Sequence, residues 1–253
     1  PGWHLFVYGR AHDTPPAELS RAFPARQSRA ASEAVARLGC LQPQRSLFVR
    51  QQPRAIDAGA FHNDVLMVGT QDRLLLHEHC LGEQEAVLQA LRQRLPTLRV
   101  HQVAPRDLSV PQAVHSYLFN SQLLHTPQGY VLLAPVQSSR GPAARIVRRL
   151  LDEGFIDRVL FHDLEQSMAG GGGPACLRLR LPLTRQEQAS MAPGVRLDAT
   201  KLQQLEAWVE QHYREELTPQ DFADPQLLHD AQQALEALTQ LLGLGSIYPF
   251  QGV

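Results

Sequence analysis

Apolar positions along this chain follow two periods, and segments of each kind alternate. Leu5-Phe6-Val7-Tyr8 is a compact β-branched and aromatic run that predicts a strand, Arg29 to Leu38 predicts a helix, and Ser46 to Val49 a buried strand. Two strand-like runs follow, His62 to Val68 and Arg73 to Cys80, joined by the turn composition Gly69-Thr70-Gln71-Asp72. From Glu83 to Leu95 the period lengthens, with Val87, Leu88, Leu91 and Leu95 on one helical face. Pro96 stops that helix, and Leu98 to Val103 reads as a strand again.

The order then recurs. Tyr117 to Leu124 and Tyr130 to Val136 predict strands around Thr126-Pro127-Gln128-Gly129, Pro142 opens a helix to Glu153 that Gly154 ends, and Arg158 to Phe161 closes the set. Strand-strand-helix-strand is thus read twice, over about 62–103 and 117–161, as a repeat of pattern and not of residues. Such modules favour a radial α/β arrangement over a Rossmann sheet, whose strands alternate singly with helices. The last seventy or so residues differ, over about 198–243. Asp198 caps a helix with the stripe Leu202, Leu205, Trp208, Val209 and Tyr213. Asp224-Pro225 opens another, with Leu228, Ala231, Leu235, Leu238 and Leu242 inward, closed by Gly243.

A hydrophobic share of 43% supports a globular core, and a charged share of 19% is too low for disorder. The net charge of −1 gives no pull toward nucleic acid or an anionic membrane, and Lys201 is the only lysine. No apolar run reaches membrane-spanning length, and no secretory signal opens the chain. Three widely spaced cysteines, Cys40, Cys80 and Cys176, fit reduced thiols in a cytoplasmic protein better than a disulfide framework. The start Pro1-Gly2-Trp3, without methionine and close to a strand, predicts processing or truncation of a longer protein.

Chemistry concentrates at few places. After the run Gly170-Gly171-Gly172-Gly173-Pro174-Ala175, the segment Cys176 to Leu181 alternates as a strand would. Leu177, Leu179 and Leu181 then share a buried face, and Cys176 lies with Arg178 and Arg180 on the polar one. A structural cysteine belongs with the leucines, whereas one beside cations has more thiolate. The glycines let backbone approach a ligand. A surface thiol after a loose loop is the competing reading; Cys40 and Cys80 read as packing. In Phe61-His62-Asn63-Asp64, a strand would put His62 and Asp64 on one side, about 7 Å apart, as a base and a charge-recognising carboxylate. His77-Glu78-His79-Cys80 suggests a metal, but strand parity turns Cys80 away from the two histidines, so no metal is expected. Ser138-Ser139-Arg140-Gly141 suits either an anion site or a plain helix cap.

These motifs together resemble the succinylarginine dihydrolase family of the guanidine-modifying pentein superfamily. Gln166-Ser167-Met168 and Gly171-Gly172-Gly173-Pro174-Ala175-Cys176-Leu177-Arg178 carry the resemblance. So do Phe23-Pro24-Ala25-Arg26-Gln27, Ile56-Asp57-Ala58-Gly59, Phe61-His62-Asn63-Asp64, Tyr117-Leu118-Phe119-Asn120-Ser121-Gln122 and the tail from Gly243 to Gln251. The resemblance implies a propeller of strand-strand-helix-strand modules, here without its N-terminal modules, in one catalytic domain over 1–253. It implies hydrolysis of N2-succinylarginine to N2-succinylornithine, two ammonia and carbon dioxide, with no cofactor and with a homo-oligomer as one outcome. By the same resemblance Cys176 is the nucleophile, His62 the general acid and base, and Arg26 and Asp64 substrate contacts. Gly170 stands where the family has a substrate-binding asparagine, and the family's catalytic glutamate lies upstream of Pro1. The alternatives are a deiminase that stops after one ammonia and a silent pentein that binds without turnover.

Overall fold

A computed structural model of the chain describes residues 2–170, 172–178 and 183–252. Contacts divide it into two units, residues 1–179 and residues 180–253.

The first unit is built from strand–helix–strand crossovers. Strand β1 (His4–Tyr8), helix α1 (Arg29–Leu38) and strand β2 (Ser46–Arg50) form a parallel pair, with Phe6 opposite Phe48 and their rings stacked at 5.1 Å. Ser28 caps α1 through the N–H of Ala31, and Ser32 and Ala36, four apart, turn inward. After the short helix α2 (Pro53–Asp57), strands β3 (Met67–Thr70) and β4 (Arg73–His77) pair antiparallel. Helix α3 (Gln84–Arg94) then returns the chain so that β5 (Arg99–Val103) lies parallel to β4. Leu74, Leu75 and Leu76 are all buried because β4 is the middle strand, covered on both faces.

Following helix α4 (Val110–Ser116), the same order is built again. Strands β6 (Gln122–Thr126) and β7 (Gly129–Pro135) pair antiparallel, helix α5 (Gly141–Asp152) crosses over, and β8 (Arg158–His162) lies parallel to β7. The β6–β7 turn is Pro127-Gln128, where the Gln128 N–H and the Gly129 carbonyl both bond the Thr126 hydroxyl. Gly129 is required: its φ is +108°, and a Cβ there would lie 2.3 Å from Oδ2 of Asp157, which accepts the Tyr130 N–H. In α5, Ala143, Ile146, Val147 and Leu150 carry the buried stripe. The order strand-strand-helix-strand thus occurs as β3–β4–α3–β5 and as β6–β7–α5–β8, and β1–α1–β2 has its parallel part. The two complete modules share one core, in which Leu75, Leu88, Phe119, Leu132 and Leu150 are fully buried. Arg73 of β4 lies over the Tyr130 ring at 4.2 Å, and Tyr130 donates to Asp72 at 2.5 Å, stitching the modules together.

Four expected strands are revised. His62 is extended, but Asn63–Val65 is a 3-10 turn closed by the Val65 and Leu66 N–H groups, so the strand starts only at Met67. Strand β4 ends at His77, where the Cys80 N–H turns back to the His77 carbonyl. Leu118–Asn120 is a second 3-10 turn, whose Leu118 and Phe119 are buried by inserting into the core and not by pleating. Pro174–Leu177 is a third, opened by the fixed φ of proline, so Cys176 does not lie on a strand. Residues 179–182, the rest of that expected strand, lie outside the described residues.

In the second unit, the short helix α7 (Arg185–Ser190) follows α6 (Glu165–Ala169) of the first. It precedes α8 (Ala199–His212) and α9 (Pro225–Leu241), capped by Asp198 and Asp224 as expected. Their apolar stripes are less buried than expected, since Leu202, Val209, Tyr213, Leu228 and Ala231 are exposed. Trp208 donates its indole N–H to the Ala234 carbonyl at 2.9 Å and Lys201 its ammonium to the Leu241 carbonyl at 3.1 Å, both between α8 and α9.

Candidate active site

Two segments of the first unit meet at His62 and the 3-10 turn Asn63–Val65 that follows it, and a third is tied to them through Asn120. The first is the loop that carries Arg26 and Gln27. Its backbone is gathered by Asp57 at the end of α2, whose Oδ1 accepts the N–H groups of Arg21 (2.7 Å), Ala22 (2.7 Å) and Phe23 (3.4 Å). Desolvation pushes the Asp57 carboxyl up, but those N–H groups outweigh it and hold the group below the usual carboxylate range. Arg26 stacks over Phe61 at 5.3 Å, with Phe23 edge-on to the same ring.

His62 is clasped from this loop. Arg26 lies 3.1 Å from Nε2 and the Gln27 amide 2.8 Å from Nδ1. A guanidinium only donates, so Nε2 carries the lone pair and Nδ1 the proton; the Gln27 atom placed at Nδ1 is the amide nitrogen, and turning that amide over by 180° gives Nδ1–H the oxygen as its acceptor. The ring is thereby fixed in one tautomer and one orientation.

Asp64 is half-buried two residues further on, and it receives the second segment. Asn120 donates Nδ2–H to Asp64 Oδ2 at 3.1 Å. Its other amide atom meets the third segment, since Oδ1 accepts the N–H of Ala175, next to Cys176, at 3.4 Å. The Cys176 turn is further held by Gln122, which donates to the Pro174 carbonyl. Arg178 is held likewise, its guanidinium donating to the Ser121 carbonyl at 2.6 Å, to that of Met67 at 3.2 Å and to that of Phe119. Arg178 therefore acts on the backbone that carries the site. The strand face on which it was expected beside Cys176 does not form. The Cys176 side chain is exposed.

Gly170 caps the end of α6, exposed, with its N–H committed to the Gln166 carbonyl at 3.2 Å. Among the described residues no hydrogen bond joins it to His62 or Asp64. Gln27 and Asn120, which connect the site, were visible in sequence only as members of motifs. Nothing in local spacing links Asn120 to residues 56 and 55 positions away.

The remaining motifs have structural explanations. His77 is buried with Nε2 against the Leu108 carbonyl at 2.9 Å and Nδ1 accepting the His79 N–H at 3.0 Å, so both nitrogens are used. The Cys80 thiol is buried, donates to Asn63 Oδ1 at 2.9 Å, and is pushed well up by desolvation. Among the described residues no group of three or more His, Cys, Asp or Glu side chains is placed to hold a metal ion. Ser138 and Ser139 return their hydroxyls to the Pro135 and Val136 carbonyls within a 3-10 turn, and α5 begins after Arg140 without a side-chain cap. A cleft of about 830 Å³ between β1, β2 and α2 has none of Arg26, His62, Asp64 or Cys176 in its lining.

A sequence model of the succinylarginine dihydrolase family matches residues 1–251. The chain belongs to this family. Membership points to a hydrolase of succinylarginine in arginine catabolism, working on a small molecule, and it bears out the resemblance carried by the motifs. The mixed α/β architecture is in keeping with the expected class. No helix among the described residues is long and apolar enough to cross a membrane.

Proposed function

We propose that this dihydrolase family member hydrolyses N2-succinylarginine to N2-succinylornithine, two ammonia and carbon dioxide through a covalent adduct on Cys176, in the cytoplasm and on a pentein propeller. The observation that carries the reading is the linkage just described: His62 immediately precedes the 3-10 turn that holds Asp64, and Asn120 ties that turn to the backbone beside Cys176.

A guanidinium carbon is a poor electrophile, so the site must hold the cation and present a thiolate to it. Asp64, with one oxygen engaged by Asn120, offers the other to the guanidinium. Arg26 pairs with a carboxylate of the succinyl-amino-acid end, and in leaving His62 it uncovers Nε2. The Cys176 thiol passes its proton to His62 Nε2 as its sulfur adds to the guanidinium carbon. His62 delivers that proton to the departing nitrogen, and the first ammonia leaves an amidino thioether. Water activated by His62 displaces the sulfur and gives the ureido compound. A second attack expels the second ammonia and leaves a thiocarbamate. Its hydrolysis gives a carbamate that breaks down to the free amine and carbon dioxide. Two waters are consumed, and the thiolate is restored after each half.

The test is stoichiometry. Two ammonia released per succinylarginine, abolished in Cys176→Ala, is the expected result. One ammonia with a ureido product would identify a deiminase, and none would identify a silent binding protein.

A further inference from the structure

We infer that Asn120 is a positioning residue that aims the Asp64 carboxylate and sets the backbone beside Cys176 through a single amide. This rests on the reading of Asp64 and Cys176 given above.

The amide orientation is fixed by chemistry. A carboxylate can only accept and a peptide N–H can only donate, so Nδ2 must face Asp64 (3.1 Å) and Oδ1 must face Ala175 (3.4 Å). Aspartate at 120 would set a second carboxylate against Asp64, and alanine would reach neither partner. Asn120 is also held firmly. It is 9% exposed and ends the 3-10 turn Leu118–Asn120, whose Leu118 and Phe119 are fully buried. Tyr117 enters that turn at φ +54°, a conformation uncommon for an aromatic residue, and Ser121 closes it with a 2.6 Å bond to the Leu118 carbonyl. The amide is therefore presented by a rigid mount.

The Cys176 side of the contact is shaped to receive it. A Cβ on Gly173 would lie 2.4 Å from Asn120 Oδ1. Among the glycines before Cys176, this one has an assignable steric reason: it lets the amide reach the turn. Two consequences separate Asn120 from a residue that merely packs. Freed from the Nδ2 bond, Asp64 loses its aim at a cation in the site. Because Asn120 also holds the Ala175 N–H, loss of aim and displacement of the Cys176 turn occur together.

The experiment alkylates the whole chain with chloroacetamidine, a cationic guanidine mimic, and with neutral chloroacetamide. Rates at Cys176 are read by peptide mass spectrometry and normalised to exposed Cys40 in the same molecules. The ratio of the two normalised rates reports recognition of the cation by Asp64 without requiring turnover. The wild type is expected to prefer the cationic reagent by about tenfold or more at Cys176. Asn120→Leu, nearly the same shape without the amide, is expected to lose most of that preference. Gly173→Ala, which drives the amide away and leaves residue 120 intact, is expected to do the same. Asp64→Asn removes the preference directly, and adding Asn120→Leu to it should change the ratio by less than about twofold, because the two residues act as one unit. General loosening of the fold would alter both reagents alike and leave the ratio standing.

A preference within twofold of the wild type, in either Asn120→Leu or Gly173→Ala folded by circular dichroism, overturns the inference and leaves the proposed hydrolysis intact. A wild type without cationic preference at Cys176 overturns the proposed site and the inference with it.

Discussion

Gly170 stands, by the resemblance that the motifs carry, where the family is expected to have a substrate-binding asparagine. Its N–H is spent on the end of α6, so only its carbonyl remains to meet a ligand. Its φ of −79° suits any residue, and an added Cβ would meet nothing closer than the Ser167 carbonyl at 3.4 Å. Restoring an amide with Gly170→Asn is therefore expected to fold normally and to lower KM for succinylarginine by roughly fivefold, the worth of one ordinary hydrogen bond, with kcat little changed. Steady-state kinetics on the two proteins check this, and an unchanged KM would remove residue 170 from the binding site. His62 presents the opposite case, an ordinary-looking histidine whose tautomer is dictated by a neighbour that cannot accept.

Among the elements, capped helices were the most legible. Asp198 and Asp224 announce α8 and α9 as caps and Pro142 announces the first turn of α5, because a helix start is set by adjacent residues. Helix α4 escaped notice although Ser109 and Gln112 form a complete capping box, since Pro111 and its brevity disguised it. The apolar runs at 62–68 and 117–124 predict strands because burial of consecutive residues looks the same in a middle strand and in a 3-10 turn driven into a core. That error hid the site's construction, which depends on bonds between residues over fifty positions apart. Two strand histidines carry a further expectation. Burial holds His77, at the end of β4, below the ordinary imidazole range against the pull of the Leu108 carbonyl. Desolvation does the same to His101 of β5 against Glu153, 3.1 Å away. The unfolded chain takes up these protons at about pH 6.5 and the folded one only at lower pH. Their contribution to stability is then complete above about 6.5 and is lost as pH falls through the folded values. Urea midpoints should fall between pH 6.5 and 5, with a shallower slope in His77→Gln; an equal slope would refute the assignment.

For the molecule as a whole, burial is divided unequally. The first unit holds nearly every fully buried large side chain, whereas Ala234 and Thr239 are the buried residues of the second among those described. Trp208 reports on the second unit once Trp3, the only other tryptophan, is replaced by phenylalanine. In urea, Trp208 fluorescence is expected to change before the main loss of far-UV circular dichroism; coincident transitions would show one cooperative block. The Asp57 contacts have a different kind of reach. One oxygen at the end of a five-residue helix organises the segment from which Arg26 and Gln27 lean on His62. A saturation survey scored by growth on succinylarginine should thus rank position 57 beside the residues that handle the substrate, although it touches none of them. Distance from the chemistry would be a poor guide to tolerance in this protein, and the apparent footprint of the site would extend along its supporting loop.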